Sequence, residues 1–197
     1  FHITHVEHLA SIAREGLHCD AHAHQAGRLK VEIGNVGIKS DRHRRGVPVP
    51  PGGRVSEYVP FYFATRSPML YSIHRGNVAT YSGGQDGIVY LCTTLDEVER
   101  RGLRWVATDR NAALSTATHT NERADLDVLV DWPLMGTRIW RNTPADPERR
   151  ARRQAELLIH RRLPWEAVMF IGTRTAEDLA RVPVSFIHLR AHQTSGN

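Results

Sequence analysis

Two cysteines, Cys19 and Cys92, are too few and too far apart for a disulfide framework, which points to a reducing, cytoplasmic setting. No hydrophobic run approaches the length of a membrane span and no secretory leader is visible, so no membrane partner is expected. Gly-x-Gly-x-x-Gly and Walker loops are missing, so any nucleotide is not expected to be held by a doubly wound dinucleotide fold. The Gly-x-Ser-x-Gly elbow is missing too, which argues against a serine hydrolase. There are 12 histidines, yet none sits in Cys-x-x-Cys or His-Glu-x-x-His spacing, so no metal is expected. His18, Cys19, His22 and His24 are merely close, and a strand-to-helix change would splay His2, His5 and His8. Internal repeats and low-complexity tracts are also lacking.

What is present fits one globular domain over residues 1–197, with 41% hydrophobic residues and enough length for a sizeable core. The formal charge is +5 and the sequence pI about 9.7. The excess is clustered: Arg42, Arg44 and Arg45 in one segment, Arg149, Arg150, Arg152 and Arg153 in another. Such clusters favour an anionic partner, nucleic acid or a phosphate-bearing cofactor; a plain solvated arginine face is the alternative.

Phe1 to His5 alternates as a strand does, and its abrupt opening leads us to expect residues ahead of it. Val6 to Glu15 reads as a helix with Val6, Leu9, Ala10 and Ala13 on one face, stopped by Gly16. Residues 18 to 57 read as a long polar loop, of a length that usually serves a function, with a turn at 34–37 and a proline-rich link at 47–53. A strand over Phe61 to Ala64 then meets a turn and a helix capped by Ser67 with Pro68 at its first position. A strand over Ile88 to Thr93 leads into the capping box Thr94-Leu-Asp-Glu97 and a short helix ending at Gly102. Beyond it we expect a strand over Arg104 to Ala107, a helix near Leu126 to Leu134 and a basic helix over Pro147 to Gln154. Three more strands are expected, over Ala155 to His160, Ala167 to Gly172 and Val184 to Leu189. The irregular interleaving favours an α+β fold with a mainly antiparallel sheet.

The segment Pro60-Phe-Tyr-Phe-Ala-Thr-Arg-Ser-Pro-Met-Leu-Tyr71 carries the clearest functional signal. Tyr62 and Tyr71 flank its turn, so two aromatic faces can close on a flat polar ring such as nicotinamide. His2 and Thr4, two apart on a strand, share a face and can hydrogen-bond a ribose and an amide together. Glu156 opens an apolar strand behind the second arginine cluster, where a carboxylate is costly unless paired or facing a cleft. A salt bridge explains it without function; steadying an electron-poor anomeric carbon explains it with function. Trp105, Trp132 and Trp140 are candidates for base stacking, or for the core.

Five blocks occur in order: His2-Ile-Thr-His5, Tyr58 through Tyr71, Tyr81-Ser-Gly-Gly84, Trp105 through Ala113, and Arg149 through Glu156. Together they resemble the DarT family of DNA ADP-ribosyltransferase toxins over nearly the whole chain. More distantly, Tyr62, Ser67 and Tyr71 look like the corresponding block of PARP-type transferases, where an aromatic pair sandwiches nicotinamide. The resemblance implies an ADP-ribosyltransferase fold, a split antiparallel sheet with flanking helices and NAD in its cleft. It implies that His2 and Thr4 contact the nicotinamide-side ribose, that Tyr71 lies by the nicotinamide, and that Glu156 is the catalytic glutamate, bonding the ribose 2′-hydroxyl. An arginine from the segment after the first helix takes part; Arg42 fits best, with Arg44 and Arg45 near enough to leave the assignment open. NAD is the substrate and no metal is used. The implied partners are single-stranded DNA, modified on a base that is typically thymine, and a macrodomain antitoxin that reverses the modification.

The expected activity is thus mono-ADP-ribosyl transfer, a pentosyl transfer from NAD to a base in single-stranded DNA, by the toxin of a toxin–antitoxin pair. Its rivals are transfer to guanine, protein or RNA, plain NAD hydrolysis, and a catalytically silent nucleic-acid-binding module.

Overall fold

A computed structural model describes residues 1–25, 27, 30–180 and 182. In chain order its first half runs β1 (His2–His5), α1 (Leu9–Glu15), β2 (Leu17–His18), α2 (Asp20–Gln25), α3 (Val36–Arg44), β3 (Tyr58–Tyr62), α4 (Pro68–His74), β4 (Ile88–Cys92) and α5 (Leu95–Arg100). There follow β5 (Trp105–Thr108), β6 (His119–Thr120), α6 (Leu126–Leu129), α7 (Trp132–Gly136), α8 (Arg149–Arg152), β7 (Glu156–His160), β8 (Arg162–Leu163), β9 (Phe170–Thr173) and α9 (Ala176–Ala180).

Among the described residues every strand pairing is antiparallel. One sheet has the order β1-β4-β9, a second β3-β7-β5-β6, and β2 pairs with β8. The sheet is therefore split, as expected. The strand expected over Val184 to Leu189 lies outside the described residues.

The two sheets touch at one corner. β1 and β3 are edge strands of their sheets and meet only where they begin and end: Phe1 N donates to Tyr62 O at 2.8 Å, and Tyr62 N–H donates to Phe1 O at 2.8 Å. One step inward lies Pro60, which has no N–H to continue a ladder and is tolerated because β3 is an edge. Its carbonyl instead accepts from His2 Nδ1 at 2.8 Å, so a side chain bridges the gap where a strand would.

β7 organises the core. Leu157 and Ile159 face the main apolar cluster with Val59, Phe61, Leu9 and Val98, while Leu158 faces a smaller one with Tyr58, Val55 and Val106. Each fully buried leucine or isoleucine contributes about 1.5–3 kcal/mol. The period of two puts Glu156 on the Leu158 face, opposite Tyr62 on β3 and Thr108 on β5.

Several expected elements differ. Leu9 is buried as expected, but Ala10 is exposed and α1 buries Ile12 in its place. The supposed loop over residues 18–57 contains α2 and α3; α3 buries Arg42 and leaves Val36 and Ile38 exposed, so it carries no apolar stripe to read. β3 spans Tyr58–Tyr62 rather than Phe61 to Ala64. The helix expected near Leu126 to Leu134 is two short ones, because Val130 turns extended and Asp131 caps a fresh start by accepting the Leu134 N–H. The basic helix is only Arg149–Arg152. Among the described residues no helix is long and apolar enough to cross a membrane.

Candidate active site

Two cavities flank α4. The first, about 250 Å³, is lined by His2, Thr4, Arg42, Tyr62 and Glu156 among others. The second, about 820 Å³, is lined by Ser67, Tyr71, Trp140 and several arginines. α4 is the partition. Pro68, Met69 and Ser72 face the first cavity, and Leu70, Tyr71 and His74 face the second. Ser67 caps this helix, accepting the Leu70 N–H at 3.2 Å, and Pro68 stands at its first turn as expected. Arg150 lines both cavities.

In the first cavity Glu156 is 1% exposed. Its carboxylate accepts from Arg42 Nη1 at 3.1 and 3.3 Å and from the Ala112 N–H at 3.2 Å. Arg42 reaches it from α3, 114 residues away in sequence. Burial opposes the Arg42 charge, but Glu156, Asp20 and Tyr62 together hold its pKa above the usual range. Arg42 Nε and Nη2 are buried without a hydrogen-bond partner. Each such orphan donor costs about 1–3 kcal/mol, so the site is built to receive acceptor oxygens or an anion. Of the three candidate arginines only Arg42 is brought to Glu156: Arg44 pairs with Asp41 in the open, and Arg45 Nε donates to the Ala113 carbonyl.

His2 donates Nδ1–H to the Pro60 carbonyl, leaving Nε2 as an acceptor. Burial pushes its pKa down to about 4, so the ring is neutral near pH 7. Burial, reinforced by Glu156, pushes the Tyr62 phenol well up, so it stays a donor. Thr4 lies two residues beyond His2 on β1, its hydroxyl 2.9 Å from His8 Nδ1. Carboxylate, guanidinium, imidazole and phenol thus surround one hollow and offer both donors and acceptors.

Tyr71 does not share that hollow. It is 50% exposed in the second cavity, edge-on to Trp140 with ring centroids 5.9 Å apart. Trp105 belongs to the core, and Trp132 packs edge-on against Phe63. Arg66, Arg138, Arg141, Arg150 and Arg174 complete a basic, aromatic groove. Among the described residues no group of three or more histidine, cysteine, aspartate or glutamate side chains could hold a metal ion.

Sequence reasoning missed the Ala112 N–H, the Asp20 and Lys39 walls of the first cavity, and Arg150 at the junction. The backbone donor has no residue-type signal, and the others become neighbours only through folding.

A family model described as "ssDNA thymidine ADP-ribosyltransferase, DarT" matches residues 1–194. The chain belongs to the DarT family. It is 36% identical over 193 residues to a DNA ADP-ribosyl transferase of Thermus sp. (strain 2.9), covering 96% of this chain and 89% of that one. A DNA ADP-ribosyl transferase of Mycobacterium tuberculosis is 34% identical over 185 residues, covering 92% of this chain and 79% of the other. Among solved structures, Thermus sp. 2.9 DarT in complex with ADP-ribosylated ssDNA superposes with a TM-score of 0.85 at 35% identity, covering 96% and 88% of the two chains. Thermus sp. 2.9 DarT in complex with NAD+ gives 0.81 at 34% identity, covering 96% and 89%. The fold is that of an ADP-ribosyltransferase.

Proposed function

We propose that this chain is a single ADP-ribosyltransferase domain that transfers one ADP-ribose from NAD to thymine in single-stranded DNA. The observation that carries the reading is the buried Glu156, paired with a partly unsatisfied Arg42 at the wall of one cavity, one helix away from an arginine–aromatic groove.

The first cavity takes the nicotinamide ribose of NAD. His2 Nε2 accepts from it, Thr4 and Tyr62 donate to it, and Glu156 accepts from its 2′-hydroxyl. The bond from ribose C1′ to nicotinamide breaks, and the electron pair leaves with nicotinamide, which becomes neutral. Glu156 steadies the positive charge that develops at C1′. The new bond runs from C1′ to a thymine ring nitrogen, which gives up its proton to solvent water. Arg42, held charged by its surroundings, stabilises the thymine anion rather than taking the proton itself.

The second cavity takes the strand. Its arginines neutralise phosphates, and Tyr71 and Trp140 offer faces for unpaired bases. Arg150, present at both cavities, stands where the acceptor base would pass from one to the other. Ser67 acts through the helix it caps. The protein works in the cytoplasm as the toxin of a pair whose antitoxin, a macrodomain protein, removes the ADP-ribose.

The test is mass spectrometry of a thymine-containing oligonucleotide incubated with the protein and NAD, run across all four bases. Gain of one ADP-ribose on thymine supports the reading. No gain in any sequence context rejects it, and label from radioactive NAD on RNA or protein instead redirects it to another acceptor.

A further inference from the structure

Thr4 does not present its hydroxyl to the first cavity unaided. His8, just ahead of α1, is 6% exposed. Its Nε2 receives the Val31 N–H at 3.1 Å. A backbone N–H can only donate, so Nε2 is the bare nitrogen and the neutral ring carries its proton on Nδ1. Nδ1 is 2.9 Å from Thr4 Oγ1 and therefore donates to it. With a lone pair occupied, the Thr4 proton is released toward another acceptor, and the open side of Thr4 is the cavity. Burial, followed by the neighbouring His5, keeps the His8 pKa below its ordinary value; Lys30 acts the same way, while Glu7 and Glu32 oppose it.

The second half of the contact is equally specific. Val31 through Gly34 also line the cavity, and Ile33 packs in one cluster with Ile3 of β1. One imidazole therefore joins β1 to the 31–34 segment of the cavity wall, through two hydrogen bonds with opposite polarity.

We infer that His8 is a positioning residue for the dinucleotide: it makes Thr4 a donor aimed at a ligand oxygen and fixes the 31–34 segment of the cavity wall against β1. This rests on reading that cavity as the NAD site. His8 lines the same cavity, but both of its ring nitrogens are taken, so it acts through Thr4 and the Val31 backbone.

The two arms can be separated. The amide of asparagine overlays the Nδ1 side of histidine, and that of glutamine overlays the Nε2 side. His8→Asn keeps a donor for Thr4 and loses the acceptor for Val31. His8→Gln keeps the acceptor and loses the donor. His8→Phe loses both. The measurements are NAD affinity by calorimetry and, without NAD, oligonucleotide affinity by fluorescence anisotropy, on the full chain.

We expect His8→Phe to weaken NAD about tenfold or more, the scale of a buried polar group left unpaired, with oligonucleotide affinity unchanged. His8→Gln and His8→Asn fall between it and wild type. In a Thr4→Val background the advantage of asparagine over phenylalanine disappears while that of glutamine persists. That pattern would not follow from a purely structural role. NAD affinity within twofold of wild type in His8→Phe overturns the inference. Equal weakening of NAD and oligonucleotide binding also overturns it, by marking a general loss of structure. If His8→Phe does not fold, the two amide variants and the Thr4→Val background decide by the same criteria. Absence of NAD binding by the wild-type chain overturns the underlying reading and this inference together, an outcome distinct from the other two.

Discussion

The two cavities on either side of α4 recognise by opposite means. The first is small, and its polar groups are fixed by bonds within the protein, Arg42 to Glu156, Glu156 to the Ala112 N–H, His2 to the Pro60 carbonyl and Thr4 to His8, while Arg42 Nε and Nη2 are left without partners. The second is more than three times larger and is lined by arginines and aromatic rings. A small pocket with fixed polar groups selects one ligand by donor and acceptor positions. An open basic groove holds any chain of phosphates and leaves discrimination to stacking. On the proposed function, affinity for the acceptor and the chemistry on the donor fall to separate surfaces, and variants should affect one without the other.

The sharpest separation is expected at Glu156. Glu156→Ala should lower transfer at least about a hundredfold, the scale of removing a preorganised electrostatic partner, while NAD still binds. Mass spectrometry and calorimetry on the same sample check this, and full activity would remove Glu156 from the mechanism. Salt comes next. A groove that neutralises four phosphates of a single strand should lose about fiftyfold in oligonucleotide affinity between 50 and 200 mM salt. NAD affinity should move far less, and Arg138→Ala with Arg141→Ala should flatten the oligonucleotide slope alone. Equal salt dependence for both ligands would erase the distinction between the cavities.

Trp140→Ala should weaken oligonucleotide binding about tenfold, the worth of one stacked base, and leave NAD binding intact. The pH dependence of stability tests the first cavity from another side. His2 has a folded pKa of about 4 against an ordinary 6.5, so the unfolded chain binds its proton first. Its contribution is complete above about pH 6.5 and is lost as the pH falls toward 4, about 1 kcal/mol being gone by about pH 5.5. His2→Asn should remove that portion of the acid slope in a denaturant titration. The smallest effect is expected at the partition itself. Ser67→Ala removes one cap and should cost about 1 kcal/mol in chemical denaturation, with both affinities changed little.

Features legible in the sequence were those held by local chemistry. Ser67 followed by Pro68, and Thr94 followed by Glu97, announce helix starts because the bonds that make them close within three residues. Leu157 and Ile159 announce a strand because a period of two survives without its neighbours. Arg42 could not be told from Arg44 and Arg45 locally, since what singles it out is a carboxylate on a strand 114 residues later. α2 and α3 were invisible because short polar helices that wall a cavity have no apolar stripe to bury. Tyr62 and Tyr71 were expected to close on one ring; they lie on opposite sides of the partition because β3 ends at Tyr62 and α4 turns Tyr71 outward. His8 looked like one of three evenly spaced histidines, and only the fold gives each of its nitrogens a different duty.

Pro60 sits where the edges of the two sheets touch. Having no N–H, it leaves β3 one donor short for pairing with β1 at that step. The His2 ring takes its carbonyl instead, so a clasp of side chain to backbone stands at the seam in place of a further rung.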